Sequence, residues 1–339
     1  MKNLIICFAL GVILLSSCET NNTSNNTPAT TIGSDTTNAA LNKLTDRIVK
    51  NPKEISAFLS RAEYYIRHDK FNEALADVNS ALNLEPDNEA IYITLSDVYL
   101  YSGKSQRALE ALRKASALGP NNALVDVKIA RLYLTMSDYK QTFNALRSAL
   151  KKDPENAEAF FVSGLANEEM GDTLKAIDSY QMAVARNQQH YEALKQLGIL
   201  FALKHDKLAI DYLRNAAHLK PESPDPLYVL GMFYQENEDA DKALSVYNEI
   251  LVIDSTFKLA HYNKGYIYLV YKQDYAKAID AFSEAIKLDT QFSDAFFNRG
   301  YAYELSGDAK KARQDYEAVL RMKVNNDNAL KALNRLDDK

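Results

Sequence analysis

Few side chains in this chain are placed to do covalent or metal chemistry. The most nucleophilic is the Cys18 thiol, which follows two small residues, Ser16 and Ser17, at the end of an apolar run over residues 4–15. Cys7 lies inside that run and completes the pair of cysteines. The five histidines (His68, His190, His205, His218 and His261) fall in separate regions. No His-Glu-x-x-His pair puts two imidazoles on one helix face around a zinc ion. Residues 101–105, Tyr-Ser-Gly-Lys-Ser, end like a phosphate-binding loop, but Val98 stands where that loop needs its first glycine, and no strand-like segment precedes it. There is no Gly-x-Ser-x-Gly nucleophile elbow and no loop of alternating Asp ligands for calcium. The chain therefore reads as non-catalytic, with no cofactor and no metal site.

The setting of Cys18 concerns address rather than catalysis. Lys2 precedes the apolar run, which is too short to span a bilayer, and small residues follow it, as in a secretory signal peptide. The sequence Leu15-Ser16-Ser17-Cys18 resembles the lipobox of bacterial lipoproteins. That resemblance implies cleavage after Ser17, a diacylglyceryl group on the Cys18 sulfur, and more than one acyl chain, which together anchor stably where a single chain does not. Cys7 leaves with the signal peptide, so the mature chain has no cysteine pair for a disulfide. Residues 18–38 are rich in Asn and Thr and nearly devoid of large apolar side chains, so they are expected to form a flexible tether. The expected location is the bacterial cell envelope, lipid-anchored, with the outer membrane the first choice. A net charge of −5 argues against a nucleic-acid partner.

The rest of the chain repeats. Ala81, Ala115, Ala149 and Ala183 stand in one column 34 residues apart, and Pro86, Pro120 and Pro154 in another. Each unit contains two stretches of helical period, with apolar residues such as Tyr92, Leu95 and Tyr99 and then Ala108, Leu112 and Ala115 spaced three, four and seven apart. Gly103, Gly171 or Gly307 marks the turn between them, and Asp, Asn or Pro closes the unit. A small residue recurs at unit position 8, from Ala62, Ser96 and Ala130 to Gly164, Gly198, Gly231, Gly265 and Gly300. Position 20 is Ala except at Thr142. Small residues there let two helices approach closely.

This pattern resembles the tetratricopeptide repeat, with aromatic residues at positions 4 and 11, small residues at 8, 20 and 27, and Pro at 32. Eight units follow: 55–88, 89–122, 123–156, 157–190, 191–223, 224–257, 258–292 and 293–326. The fifth is one residue short near Asp206 and the seventh one residue long near Asp274. Asp126 and His261 occupy the usually aromatic position 4, which is expected to be only partly buried. The expected fold is all-α, a right-handed α-solenoid of about eight helix-turn-helix repeats with capping helices at both ends. The organisation reads as a signal peptide at 1–17, lipidated cysteine and tether at 18–38, an N-terminal capping helix at 39–52, the repeats at 53–326 and a C-terminal capping helix at 327–339. The N-terminal cap looks like the second helix of a degenerate preceding unit.

In the family so resembled, first helices line a concave surface through unit positions 2, 5, 9, 12 and 13. Here those columns hold ten acidic and three basic residues. The middle presents Glu168, Glu169 and Glu192; the last units present Tyr228, Tyr262, Tyr266, Phe297 and Tyr301. Asn263 and Asn298, at position 6 of adjacent units, are placed to hydrogen-bond a peptide backbone as in Asn-lined members of the family. The expected function is a membrane-anchored scaffold that binds a protein or peptide partner, possibly a basic one, in an acidic and aromatic groove. The alternatives are an accessory subunit that positions an envelope enzyme or its glycan substrate, and a self-associating spacer.

Overall fold

The computed structural model describes residues 32–338, with side chains described from residue 39. Cys18, the apolar run and most of the expected tether lie outside the described residues. Eighteen α-helices and one short π-helical segment, with no strand, make up this region. The first and second helices of the eight units are α2 (Ile55–Ile66) and α3 (Phe71–Leu84), α4 (Glu89–Tyr101) and α5 (Ser105–Leu118), α6 (Ala123–Thr135) and α7 (Tyr139–Lys152), α8 (Ala157–Glu169) and α9 (Thr173–Arg186), α10 (Tyr191–Leu203) and α11 (Leu208–Leu219), α12 (Asp225–Glu236) and α13 (Ala240–Ile253), α14 (Lys258–Ile267) and α15 (Tyr275–Leu288), and α16 (Ser293–Leu305) and α17 (Ala309–Met322). They are flanked by α1 (Ile32–Lys50) and α18 (Asp327–Asp337). Each helix packs on its neighbours in sequence, and first helices also touch the first helix of the next unit, as α2 does α4, α6 does α8 and α10 does α12. The result is an all-α solenoid in which first helices form one layer and second helices the other.

Local chemistry explains where the helices begin. Asn88, Asn122 and Asn156 cap first helices by accepting backbone N–H groups, and Asp138, Asp172, Asp239, Asp274 and Asp308 cap second helices in the same way. Every inter-helix turn contains one residue at positive φ, between 52° and 90°. Three are the glycines noted in the sequence; the other five are Asp69, Ser137, His205, Glu238 and Gln273. The turn geometry is thus constant while its sequence signal is not.

The two length irregularities are absorbed locally. In the fifth unit Ala209 N bonds to Asp206 O and Ile210 N to Lys207 O, so the deletion tightens the first turn of α11 into a three-residue ladder. In the seventh, the extra residue widens the end of the first helix into a π segment, Tyr268–Lys272, and Asp274 N reaches six residues back to Tyr268 O. Position 8 behaves as expected. A Cβ on Gly164 would lie 2.3 Å from Tyr180 Cε1, on Gly231 2.6 Å from Tyr247 Cε1, and on Gly265 2.7 Å from Phe282 Cε1. Where position 8 is Ala62 or Ala130, it packs in one cluster with the smaller Val78 or Leu146, although in the fifth unit a leucine is still tight: a Cβ on Gly198 would lie 2.5 Å from Leu213 Cγ.

Two expectations need correction. The N-terminal helix starts at Ile32, seven residues before 39, because lengthening a formed helix adds one backbone hydrogen bond per residue without a new nucleation cost. Asp126 is buried rather than partly exposed; its carboxylate accepts from Ser148 Oγ at 2.9 Å and pairs with Lys152 Nζ at 2.6 Å. The role of α1 is consistent with a degenerate second helix. Arg61 grips Asp77 through two bonds of 2.8 and 2.7 Å and donates to Thr45 on α1. Arg299 repeats this in the last unit, with two 2.8 Å bonds to Asp315 and one to Ser283 on the preceding second helix. Thr45 therefore stands where Ser283 stands. At the other end Arg335 ties α18 to Glu304 with bonds of 2.8 and 2.7 Å.

Candidate interaction surface

The layer of first helices brings the lining columns together, but their charges are largely spent within the protein. Arg131, at position 9 of the third unit, pairs with Glu158 of the fourth, whose other oxygen lies 3.2 Å from His190 Nε2. His190 Nδ1 accepts the Ala193 N–H and caps α10, so the imidazole proton sits on Nε2 and points at Glu158. Burial pushes the Glu158 carboxyl up, but His190 and Arg131 outweigh it and hold it down at about 2. Asp97 is neutralised by Lys128 at 2.7 Å. Glu192 lies 3.0 Å from Lys195 and 3.5 Å from Lys220.

Glu168 and Glu169 differ. Glu168 accepts the buried Tyr180 hydroxyl at 2.6 Å and has no ion-pair partner among the described residues. Burial pushes the Glu169 carboxyl up, a hydrogen bond from Tyr139 opposes this, and the Glu168 charge adds to it. The acidic middle of the lining thus reduces to these two adjacent carboxylates. At the opposite, N-terminal end of α8, the loops that close the third and fourth units frame an open hollow of about 490 Å³ lined by Asp153, Asn156, Glu158, Asn187, His190 and Glu192.

The aromatic part is also redistributed. Tyr228, Tyr266, Phe297 and Tyr301 are half-buried and keep one side available. Tyr228 leans on Phe257 with centroids 5.4 Å apart, Phe297 on Tyr316 at 5.5 Å, and the Arg335 guanidinium lies 5.9 Å from the Tyr301 ring. Tyr262 is instead buried, packed on Phe292 at 4.9 Å. Asn298 donates to its hydroxyl at 2.8 Å, and buried Asn263 donates to Tyr247 Oη at 3.0 Å. Asn263, Asn298 and Tyr262 are therefore structural. Each asparagine is satisfied by a tyrosine hydroxyl across a unit boundary, Asn263 by Tyr247 and Asn298 by Tyr262, because a buried amide or hydroxyl left unpaired is costly, and the expected contact of these asparagines with a peptide backbone is not available.

Sequence reasoning missed the cross-unit pairs Lys128–Asp97 and Arg131–Glu158 and the pair Glu158–His190 that spans the fourth unit end to end. Their partners are 27 to 32 residues apart, and only the stacking of successive units brings them together. Reading opposite charges across one repeat length would have found them.

The comparisons with known proteins agree with this architecture. Residues 74–194 match the model of the cytochrome c-type biogenesis protein H TPR domain, 269–307 a TPR repeat model, and 293–326 a tetratricopeptide repeat model. The C-terminal part of a TPR repeat-containing protein from Cytophaga hutchinsonii superposes with a TM-score of 0.62 at 20% identity, over 71% of this chain and 99% of that one. PilF from Pseudomonas aeruginosa superposes with a TM-score of 0.50 at 18% identity, over 59% and 92%. At these identities the likeness concerns the fold. No curated relative matches the chain.

Proposed function

We propose, from the premise that this chain is a tetratricopeptide repeat protein and so an interaction scaffold, that it is a lipid-anchored scaffold of the bacterial cell envelope. It holds a protein partner against the layer of first helices in its last three units. The observation that carries this reading is the row of half-buried rings, Tyr228, Tyr266, Phe297 and Tyr301, presented by three successive units and each held against another ring or a guanidinium of the protein, Tyr266 edge-on to Tyr271 at 6.3 Å. Braced aromatics supply contact area at low entropic cost, as binding hot spots do. Glu168 and Glu169 add a local anionic point suited to a basic side chain of the partner, in place of a broadly acidic groove. The anchor is Cys18, on the strength of the lipobox-like sequence before it.

The test has two arms. Cys18→Ala is expected to move the protein from the membrane to the soluble fraction with its helical circular dichroism unchanged; retention on membranes after a high-salt wash overturns the anchor. A photoactivatable residue at position 301 is expected to capture an envelope protein that the same residue at exposed Val252 does not. Equal capture at both positions overturns the groove.

A further inference from the structure

The chain enters the solenoid on one particular edge. Thr45 of α1 takes the place that Ser283 takes in α15, so α1 packs on α2 in the direction of a second helix. Its N-terminal end therefore lies at the edge where first helices end and second helices begin, the edge of the inter-helix turns. In that register α15 starts at the level of residue 37, whereas α1 starts at Ile32. At about 1.5 Å per residue, α1 projects about 7.5 Å past the turn edge. Thirteen residues separate Ile32 from Cys18, at most about 50 Å of chain. The turn edge is thus the nearer one to a lipid on Cys18; the opposite edge lies about 21 Å farther along the helices.

The same edge exposes apolar side chains among cations. The turns of the second to fifth units present Tyr101, Met136, Met170 with Leu174, and Leu203 with Leu208, each 46–68% exposed. Beside them stand the exposed Lys104, Arg107, Lys140, Lys204 and Lys207, none with an ion-pair partner among the described residues. In the first five units the turns, residues 67–73, 101–107, 135–141, 169–175 and 203–208, hold eight cations and six carboxylates. The joins on the opposite edge, residues 84–90, 118–124, 152–158, 186–192 and 219–225, hold three and nine. Four of the six turn carboxylates are also engaged within the protein. Asp138, Asp172 and Asp206 cap second helices, and Glu169 accepts from the Tyr139 hydroxyl. Asp69 and Glu73 of the first unit face Arg67 and Lys70 of the same turn. The sixth turn ends the pattern: residues 236–242 hold four carboxylates and one cation, with Glu236 and Glu238 exposed. An apolar patch of this extent marks an interaction site rather than scattered surface hydrophobics.

We propose that the turn edge of the first five units lies on an anionic phospholipid surface, its Tyr, Met and Leu side chains at the headgroup boundary and its lysines and arginine among the phosphates. The tether selects this occupant, because it delivers this edge, the apolar and cationic one, to the bilayer. The acidic sixth turn is repelled by the same surface, so the rings of the last three units stay clear of the membrane and open to a partner. The proposal rests on the Cys18 anchor and is independent of the groove.

The experiment uses the full lipidated chain on vesicles of phosphatidylglycerol and phosphatidylethanolamine that contain a lipid with a nitroxide headgroup. With the Cys18 sulfur acylated and Cys7 cleaved away, Tyr101→Cys, Leu174→Cys or Val252→Cys each supplies the single thiol for a fluorophore. Nitroxide quenching at low salt is expected to be at least threefold stronger at positions 101 and 174 than at 252. It is expected to fall at least twofold at 174 with Lys104→Glu and Arg107→Glu, and likewise on vesicles of phosphatidylcholine. Flotation of the protein with vesicles after a high-salt wash reports the anchor separately. Flotation with equal quenching at the three positions overturns the proposal while the anchor stands, and leaves the edge to a protein or a second copy. Quenching indifferent to lipid charge overturns the anionic surface. Loss of flotation in high salt overturns the anchor, and this proposal with it.

Discussion

Substituting Gly265 by Ala tests whether close approach at position 8 governs helix packing within a unit. A Cβ there would lie 2.7 Å from Cδ1 and Cε1 of Phe282 and 2.9 Å from its Cγ. That is about 1 Å inside the ~3.5–4.0 Å optimum for carbon–carbon contact. Phe282 is fully buried, so its ring cannot swing into solvent. Overpacking of this kind costs about 1–3 kcal/mol. Against it stands the preference of a helix interior for Ala over Gly, about 1 kcal/mol. The net expectation for Gly265→Ala is a loss of about 1 kcal/mol. In the Phe282→Val background the same change meets a smaller side chain, the combination that Ala62 and Val78 already represent in the first unit. The propensity term then wins, and Gly265→Ala should stabilise by about 0.5–1 kcal/mol. The assay is urea unfolding followed by circular dichroism, with native-state hydrogen exchange of α14 and α15, because repeat arrays open in parts. A gain of equal size in both backgrounds would refute the close-approach argument.

Four further outcomes are expected. Glu238→Gly, at a turn residue with φ 59°, should raise stability by about 0.5–1 kcal/mol in thermal unfolding, since an L-residue is strained there. Gly103→Ala should lower it by about 1 kcal/mol, although nothing lies within 4 Å of the added carbon. Arg299→Ala should cost about 3–5 kcal/mol by leaving buried Asp315 unpaired, and Asp315→Leu added to it should recover part of the loss in the same unfolding assay. The Glu158 carboxyl titrates at about 2 when folded and at about 4.3 when unfolded, so its contribution is complete above the unfolded value and disappears as the pH falls toward 2. Acid titration of Glu158→Gln should therefore show a shallower loss of stability between pH 4.5 and 2 than the parent chain.

Much of the architecture was legible because its determinants recur within one unit. A glycine faces a wide second-helix residue 16 positions on in three units, as Gly231 does Tyr247 and Gly300 does Tyr316, and 17 positions on in the lengthened seventh, where Gly265 faces Phe282. The same pairing seen repeatedly in the sequence announces two helices in contact. The inserted residue in the seventh unit was visible as a broken period, but its π form was not, since period alone does not say whether an extra residue loops out or widens a helix. The five non-glycine turn residues were invisible for a similar reason: left-handed backbone is dictated by the closure of the turn, and the side chain merely tolerates it.

The candidate surface was less legible. Lining columns name the residues on the inner layer, yet Asn298 turns inward to Tyr262 and Asn263 to Tyr247, and Glu158 and Glu192 are already paired. The sequence by itself determined the unit, its length, its packing positions and the order of eight copies, because those depend on contacts within and between neighbouring helices. The tertiary structure decided which charges remain free and which rings remain open. Those properties depend on how each unit is rotated on the next, and a repeat period carries no record of that rotation.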